Sequence, residues 1–491
     1  MAVSFNQIPG TLRVPFVTAE FDGSRASGGP ALLAFRALLV GQKNSVGTAA
    51  GNAILKVANA DQVATLAGRG SQLHRMAKAW FTENTNTECW IGVLADDGAA
   101  TAATATVTVT GTATADGTLA LYVAGNLVRV AVTTGMTPTQ VASAIATAIG
   151  NTVGSNELPV TCTSALGVAT ITSVNKGSAA NEYDLRVNYQ SDSESTPAGL
   201  TVALTAFSGG ATNPVLTSLI AAMGDTWFNV VAHPYTDASS LSAIEAELAS
   251  RMGPLRMIDG VAITAKSATY SAVGTLGAGR NSPSSVIVRT NDSPTPPMEF
   301  AASVAGVVAL SAQADPARPF QTLPLAWVLP PALSALDTLQ MRNLLLYSGI
   351  SVTRLAGTQV VIDRLITTYQ TNAAGSSDQA YLSVETLFTL AYLRYSFRAQ
   401  MQTRYPRHKL ANDGTRLGAG QAVITPLLGK AEAVSWFRSM AELGLVEGFD
   451  QFKADLVVER DALDANRLNF LLPPNLINQL VVTAAKVQFR L

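Results

Sequence analysis

Residues 227–265 read "WFNVVAHPYTDASSLSAIEAELASRMGPLRMIDGVAITA", and their pattern sets the fold class. "WFNVVAHPY" is an apolar run of strand length. In "DASSLSAIEAELASRMG", Leu241, Ile244 and Leu248 share one helical face, and Gly253-Pro254 ends the helix. "RMIDGVAITA" is a second strand-length run. Strand, helix and strand in this order argue for a parallel or mixed sheet with helices on its faces.

The same rhythm extends both ways. Upstream, "FRALLVG" reads as a strand ending at Gly41, "NADQVATLAG" and "QLHRMAKAWFTEN" as helices, and "ECWIGVLA" as another strand. Downstream, "SSVIVRTN" continues the series. These segments define an α/β body over residues 31–97 and 212–370.

Residues 98–211 break the rhythm, being rich in Thr, Ala, Val and Gly. "TATVTVTGTATADGTLALYVAGNLVRVAV" predicts a β-meander with turns at Asp116-Gly117 and Gly125-Asn126. "TPTQVASAIATAIG" is its one clear helix, with Thr137 as N-cap, Pro138 in the first turn, Gln140 completing a capping box and Gly150 as C-terminal cap. "GVATITSVNKG" and "LTVALTAF" add strands. Because α/β periodicity resumes beyond "SGG", the segment reads as an inserted β-rich domain.

Residues 371–475 read as an α+β C-terminal domain. "YLSVETLFTLAYLRYSFRAQMQTRYP" is a long helix stopped by Pro406, and "TPLLGKAEAVSWFRSMAELG" runs from Thr425-Pro426 to Gly444. "FKADLVVERD" has strand alternation. Both chain ends carry strand patterns too. Val3 and Phe5, then Leu12, Val14 and Phe16, alternate with other residues in arm 1–30. Val487, Phe489 and Leu491 do so in arm 476–491, where Val482 is a further candidate for strand pairing and which Pro473-Pro474 sets off from the body. An isolated strand leaves its backbone groups unpaired. Each arm therefore pairs either with its own body or with another chain, and about fifteen extended residues reach roughly 50 Å.

The 491 residues are 48% hydrophobic and 14% charged, with a net charge of -1. This describes a folded, charge-poor chain, with no overall signal for nucleic acid or anionic lipid. The longest apolar run, near Phe300–Leu310, is too short to span a bilayer. "MAVSFNQIPG" lacks the features of a signal peptide, so a soluble protein made in a cytoplasm is expected. Two distant cysteines, Cys89 and Cys162, argue against a disulfide framework.

The search for chemistry finds little. His74, His233 and His408 have no partners at metal-ligand spacing, and no phosphate-binding loop or nucleophile elbow occurs. "GTLGAG" (Gly274–Gly279) has the wrong spacing for a dinucleotide loop and reads as a flexible glycine turn. No catalytic residue, cofactor site or metal site is expected. Two charge clusters stand out: Arg404, Arg407 and Lys409 against Glu447, Asp450, Asp455 and Glu459. They are candidates for pairing within a subunit, between subunits or with a third protein.

"NRLNFLLPPNLINQLVVTAAKVQFRL", "RYPRHKLANDGTRLGAGQAVITP" and "GLVEGFDQFKADLVVERD" resemble the C-terminal signature of tail sheath proteins from Mu-type contractile bacteriophages. "MAVSFNQIPGTLRVPFVTAEFD" resembles the start of the same family. The resemblance implies a structural subunit of the virion tail, assembled in the host bacterial cytoplasm. It implies hexameric rings stacked helically around a tail tube, with baseplate and tail terminator proteins as partners. It further implies exchange of terminal strands between subunits, an inner C-terminal domain, an outward-facing insert, and contraction that drives the tube through the host envelope. No direct nucleic-acid contact and no membrane insertion are expected of this chain. A sheath from a phage-derived injection device or bacteriocin is the close alternative. The more distant one is an α/β enzyme with a carbohydrate-binding insert, which requires a convergent polar pocket at the carboxyl ends of the strands.

Overall fold

The computed structural model describes residues 33–155, 157–416, 418 and 420–490. It forms two compact units, one of residues 34–392 with 476–490 and one of 393–475. In the larger unit, the chain begins with β1 (Arg36–Gln42), β2 (Ile54–Val57), α1 (Ala60–Ala67), α2 (Gln72–Glu83) and β3 (Glu88–Leu94). Past Arg36, every residue of β1 is buried, as a central parallel strand covered on both faces requires. Asn59 and Ser71 cap the two helices by accepting from the backbone N–H groups of Gln62 and His74.

The segment 98–211 folds into β4 (Ala102–Gly111), β5 (Gly117–Val123), β6 (Asn126–Val132), α3 (Pro138–Ser155), β7 (Val160–Ala165), β8 (Val168–Lys176), β9 (Leu185–Val187) and β10 (Leu200–Ser208). They make two antiparallel sheets, β10-β4-β8-β7 and β6-β5-β9. The expected continuous meander is corrected here, because β4 and β5 lie in different sheets. Asp116 does not close a hairpin; its carboxylate accepts from Thr134 N at 2.6 Å. The β5–β6 turn is Ala124-Gly125, one residue earlier than expected, and both residues have positive φ as a two-residue type I′ turn demands. Thr137 and Gln140 form the expected capping box. The helix passes through Gly150 and ends at Ser155. A glycine on that open face costs only its intrinsic propensity, about 1 kcal/mol, while buried Ile145 and Ile149 hold the helix down.

The body resumes with α4 (Thr217–Met223), β11 (Val230–Ala232), α5 (Ala238–Met252), β12 (Val261–Lys266), α6 (Tyr270–Ala278), β13 (Ser285–Arg289), α7 (Pro297–Ala314), α8 (Leu339–Tyr347), β14 (Ile350–Ala356) and β15 (Gln359–Arg364). Eight strands join in the order β15-β14-β13-β12-β11-β1-β3-β2. The six inner strands are parallel and the two edges antiparallel, so the mixed α/β expectation is met. The apolar run at Phe300–Leu310 belongs to α7, a core helix buried along most of its length. Among the described residues, no helix is long and apolar enough to cross a membrane. The glycine-rich "GTLGAG" lies mainly in α6 rather than in a loop. A Cβ on Gly277 would collide with the Ser348 carbonyl and the Ile350 side chain, so this glycine serves helix-to-strand packing.

One apolar core runs from the body into segment 98–211. A buried ion pair supports it: Arg75 donates through Nε to Glu299 Oε1 at 2.7 Å and through Nη2 to Oε2 at 2.9 Å. Trp327 Nε1 donates to the same carboxylate at 2.7 Å, and Asn126, from the β-rich segment, accepts from Arg75 at 3.2 Å. Every charge in the cluster has a partner, which a buried pair needs to offset its desolvation.

Helix α9 (Val384–Arg404) contributes residues to both units. The smaller unit adds β16 (Lys409–Leu410), β17 (Val423–Ile424), α10 (Pro426–Glu442), β18 (Val446–Glu447), α11 (Phe449–Asp455), β19 (Val457–Arg460) and β20 (Leu468–Leu471). Thr425 caps α10, with Pro426 in its first turn. "FKADLVVERD" divides in two: Phe452–Asp455 end α11, and the strand begins at Val457. The core is aromatic. Phe437 stacks on Phe452 at 4.1 Å, and Phe397 meets Trp436 and Phe470 edge-on.

Candidate assembly surfaces

In an open parallel sheet, ligands enter where the strand order reverses, at the carboxyl ends. Here that point lies between β1 and β11, and protein side chains and backbone fill it. Gln42, ending β1, donates to Asp96 Oδ1 and to the Lys176 carbonyl, both at 2.7 Å. Asn175 Oδ1 accepts from Gln72 N at 2.8 Å, and its amide donates to the Lys43 carbonyl at 2.8 Å. Tyr235 Oη reaches Gln42 and Gln72 at 3.4 and 3.3 Å. Burial pushes the Tyr235 phenol well up, which keeps it a neutral donor. Gln42, Gln72, Asn175 and Tyr235 are all buried. Gln42 and the backbone N–H of Gln72 thus meet residues 176 and 175 of the β-rich segment, while Tyr235 meets Gln42 and Gln72.

The C-terminal segment has the opposite character. Residues 477–490 carry no helix or strand. Val482, Val487 and Phe489 are 79%, 84% and 80% exposed. Gln321 Nε2 donates to the Leu480 carbonyl at 3.0 Å, so the segment touches its own body near its beginning. Val3, Phe5, Leu12, Val14, Phe16 and Leu491 lie outside the described residues.

The charge clusters lie in the smaller unit. Arg404 donates to Glu432 Oε2 at 2.6 Å, and Lys409 Nζ to Gln421 Oε1 at 2.9 Å. Arg407 is exposed. On the acidic side, Glu447 accepts from Asn475 at 3.4 Å, Asp455 accepts from Gln451, and Asp450 and Glu459 are exposed. Among the described residues, no ion pair joins the two clusters.

Sequence reading missed the β19–β20 hairpin. It pairs Val457 with Leu471, Val458 with Phe470, Glu459 with Asn469 and Arg460 with Leu468. One face packs on α10. A Cβ on Gly429 would meet Leu468, Phe470 and Val458 at 3.1, 3.2 and 3.2 Å. On the other face, Val457 and Leu471 are 46% and 61% exposed. Asp461 shapes the connecting turn by accepting from Leu463 N and Asp464 N, both at 2.9 Å, and from Asn469 Nδ2. These hydrogen bonds hold its carboxyl down at about 2. The available signal was the turn-rich "DALDAN" between two short alternating runs.

The sequence matches the family model for the phage tail sheath protein central domain over residues 209–368, and that for the phage tail sheath C-terminal domain over residues 376–490. It is 41% identical over 490 residues to the Mu-like prophage FluMu tail sheath protein of Haemophilus influenzae, covering 100% of both chains. Among solved structures, the sheath tail protein of Desulfitobacterium hafniense shares 13% identity, over 94% of this chain and 100% of that one, with a TM-score of 0.47. The sheath tail protein of Listeria innocua shares 13% identity, over 92% and 97%, with a TM-score of 0.46.

Proposed function

The chain belongs to the Mu-type phage tail sheath family, and from that premise we propose how its copies assemble and act. Copies form hexameric rings that stack around a tail tube, and the rings are tied together by terminal strands paired on neighbouring subunits. The observation that carries this reading is the uncovered C-terminal segment, whose Val482, Val487 and Phe489 face solvent in a single copy. Burying each such side chain is worth about 1.5–3 kcal/mol. Pairing its backbone removes the exposed row of donors and acceptors that an edge strand leaves. Both outer edges of the β19–β20 hairpin offer complementary rows, and a two-stranded ribbon gains stability from further strands.

Contraction follows from an extended assembly held behind a kinetic barrier until the baseplate releases it. Contacts between bodies exchange while strand pairing persists, so no nucleotide hydrolysis is invoked. The sheath caps against a terminator protein, belongs to the virion tail and is assembled in the host cytoplasm. The Arg404–Lys409 and Glu447–Glu459 clusters serve contacts that break and reform, because exposed ion pairs are individually weak. Deleting residues 476–491 tests the reading. The expected product is folded by circular dichroism and forms no tubes in negative-stain images. Tubes of normal length from the shortened chain would refute strand exchange.

A further inference from the structure

Helix α8 reads "LQMRNLLLY", with Leu339, Met341, Leu344, Leu345, Leu346 and Tyr347 as its apolar residues. At the angular step of an α-helix these positions go round the axis instead of forming one stripe. A helix apolar on every side is one that is covered on every side. Of the α8 side chains, Leu345 alone is fully buried, in a cluster with Val273, Ile350 and Val352. Leu339, Leu344 and Tyr347 are more than half exposed. The helix's one charge belongs to its own chain: Arg342 donates to Asp363 Oδ2 and to the Asp337 carbonyl, both at 2.8 Å. Beside the exposed face lies a cleft of about 360 Å3, lined by Asn343 and Tyr347 of α8 and by Arg364, Tyr369, Asp378 and Leu382 among others. Arg364 and Asp378 balance, so the cleft has no net charge.

We infer that the outer face of α8 and this cleft seat against a second copy of the chain. This rests on the polymer reading above and adds a contact between bodies, apolar where the charge clusters are polar. Two observations choose the occupant. The face has exposed leucine and tyrosine and no net charge. A nucleic acid or an anionic lipid would find no basic row there, whereas lasting contacts between identical chains are the more hydrophobic class of interface. The second observation is position. The C-terminal segment leans on the same unit nearby, where Gln479 Nε2 donates to the Ala317 carbonyl at 3.5 Å and Gln321 Nε2 to the Leu480 carbonyl at 3.0 Å. Between those two points Phe320 N donates to Glu385 Oε1 at 3.0 Å, and the charge of Arg364 in the cleft acts on that carboxyl. A neighbour held through the C-terminal segment is thereby brought to the side of the unit that carries the cleft.

Hydroxyl-radical footprinting of the full chain tests this. Labelling of Leu344 and Tyr347 should fall about threefold in tubes of the pure protein relative to the unassembled chain, as exposed side chains enter an interface core. Leu344→Ser with Tyr347→Ser is the matching variant. It removes exposed side chains, so the unassembled protein should keep its melting temperature. Its critical concentration for tube formation should rise about tenfold. That rise should persist at high salt, because apolar burial is not screened. Unchanged labelling of both residues in tubes, or unchanged assembly of the variant, would overturn the inference and leave strand exchange standing. Protection seen in whole tail particles but not in tubes of the pure protein would overturn it too, by giving the face to another virion protein. If the full chain forms no tubes, the polymer reading and this inference fall together.

Discussion

His233 shows how one side chain reports on the whole core. It is fully buried, and loss of solvation lowers its pKa to about 4 despite the opposing carboxylate of Asp237. His74 is lowered to about 4 as well. There burial acts first, then the cations Lys78, Arg75 and Arg69, and together they outweigh the carboxylate of Asp61. Both rings stay neutral in the folded state, whereas the unfolded chain takes up protons below about pH 6.5. Stability from these sites is therefore complete above pH 6.5 and falls as the pH drops toward 4, by roughly 3 kcal/mol for each ring. Urea unfolding at pH 7 and pH 4.5 measures this, and substituting His233 with an apolar residue should flatten the dependence even where it lowers stability overall. Gly429 is a second residue-scale case. Gly429→Val pushes against Val458, Leu468 and Phe470 and should destabilise the smaller unit by about 1–3 kcal/mol. Tube formation should fall with it, since the hairpin is the proposed acceptor.

At the scale of elements, the strand pair closing the β-rich segment matters most. Thr101 bridges to Ala211 in antiparallel fashion, so the points where the chain leaves the body and returns are neighbours. A short glycine bridge replacing residues 98–211 is geometrically easy for that reason. The shared core and the Asn126 and Asn175 contacts show that the segment is also stitched to the body. The bridged variant should be less stable than the full chain yet still polymerise; failure of the remaining chain to fold would refute an independent insert. Asn175→Ala isolates the polar stitch. It strands the buried backbone N–H of Gln72, at about 1–3 kcal/mol, and removes a donor from the half-buried carbonyl of Lys43. Calorimetry should show lower stability while tubes still form, because no assembly surface is altered.

For the whole molecule, the contrast is between a filled crevice and a bare tail. Gln42, Gln72, Asn175 and Tyr235 are buried where the strand order reverses, whereas Val482, Val487 and Phe489 of the C-terminal segment are exposed. Such a distribution suits a protein that recognises other copies of itself, and the family match places it among tail sheath proteins.

Sequence alone determined the α/β class, the helix of residues 238–252 and the capping box at Thr137, because hydrophobic period and cap chemistry are local. It also determined the alternation of the tail, since side-chain facing in a strand needs only neighbours in the chain. Tertiary structure alone decided that β4 and β5 part into separate sheets and that helix α3 passes through Gly150. It also decided that Gly277 packs against β14 rather than forming a turn, and that Asn175 closes the crevice of a distant strand. Those outcomes depend on which surfaces meet across long stretches of chain, and nothing in a residue's immediate neighbours encodes the partner it will find.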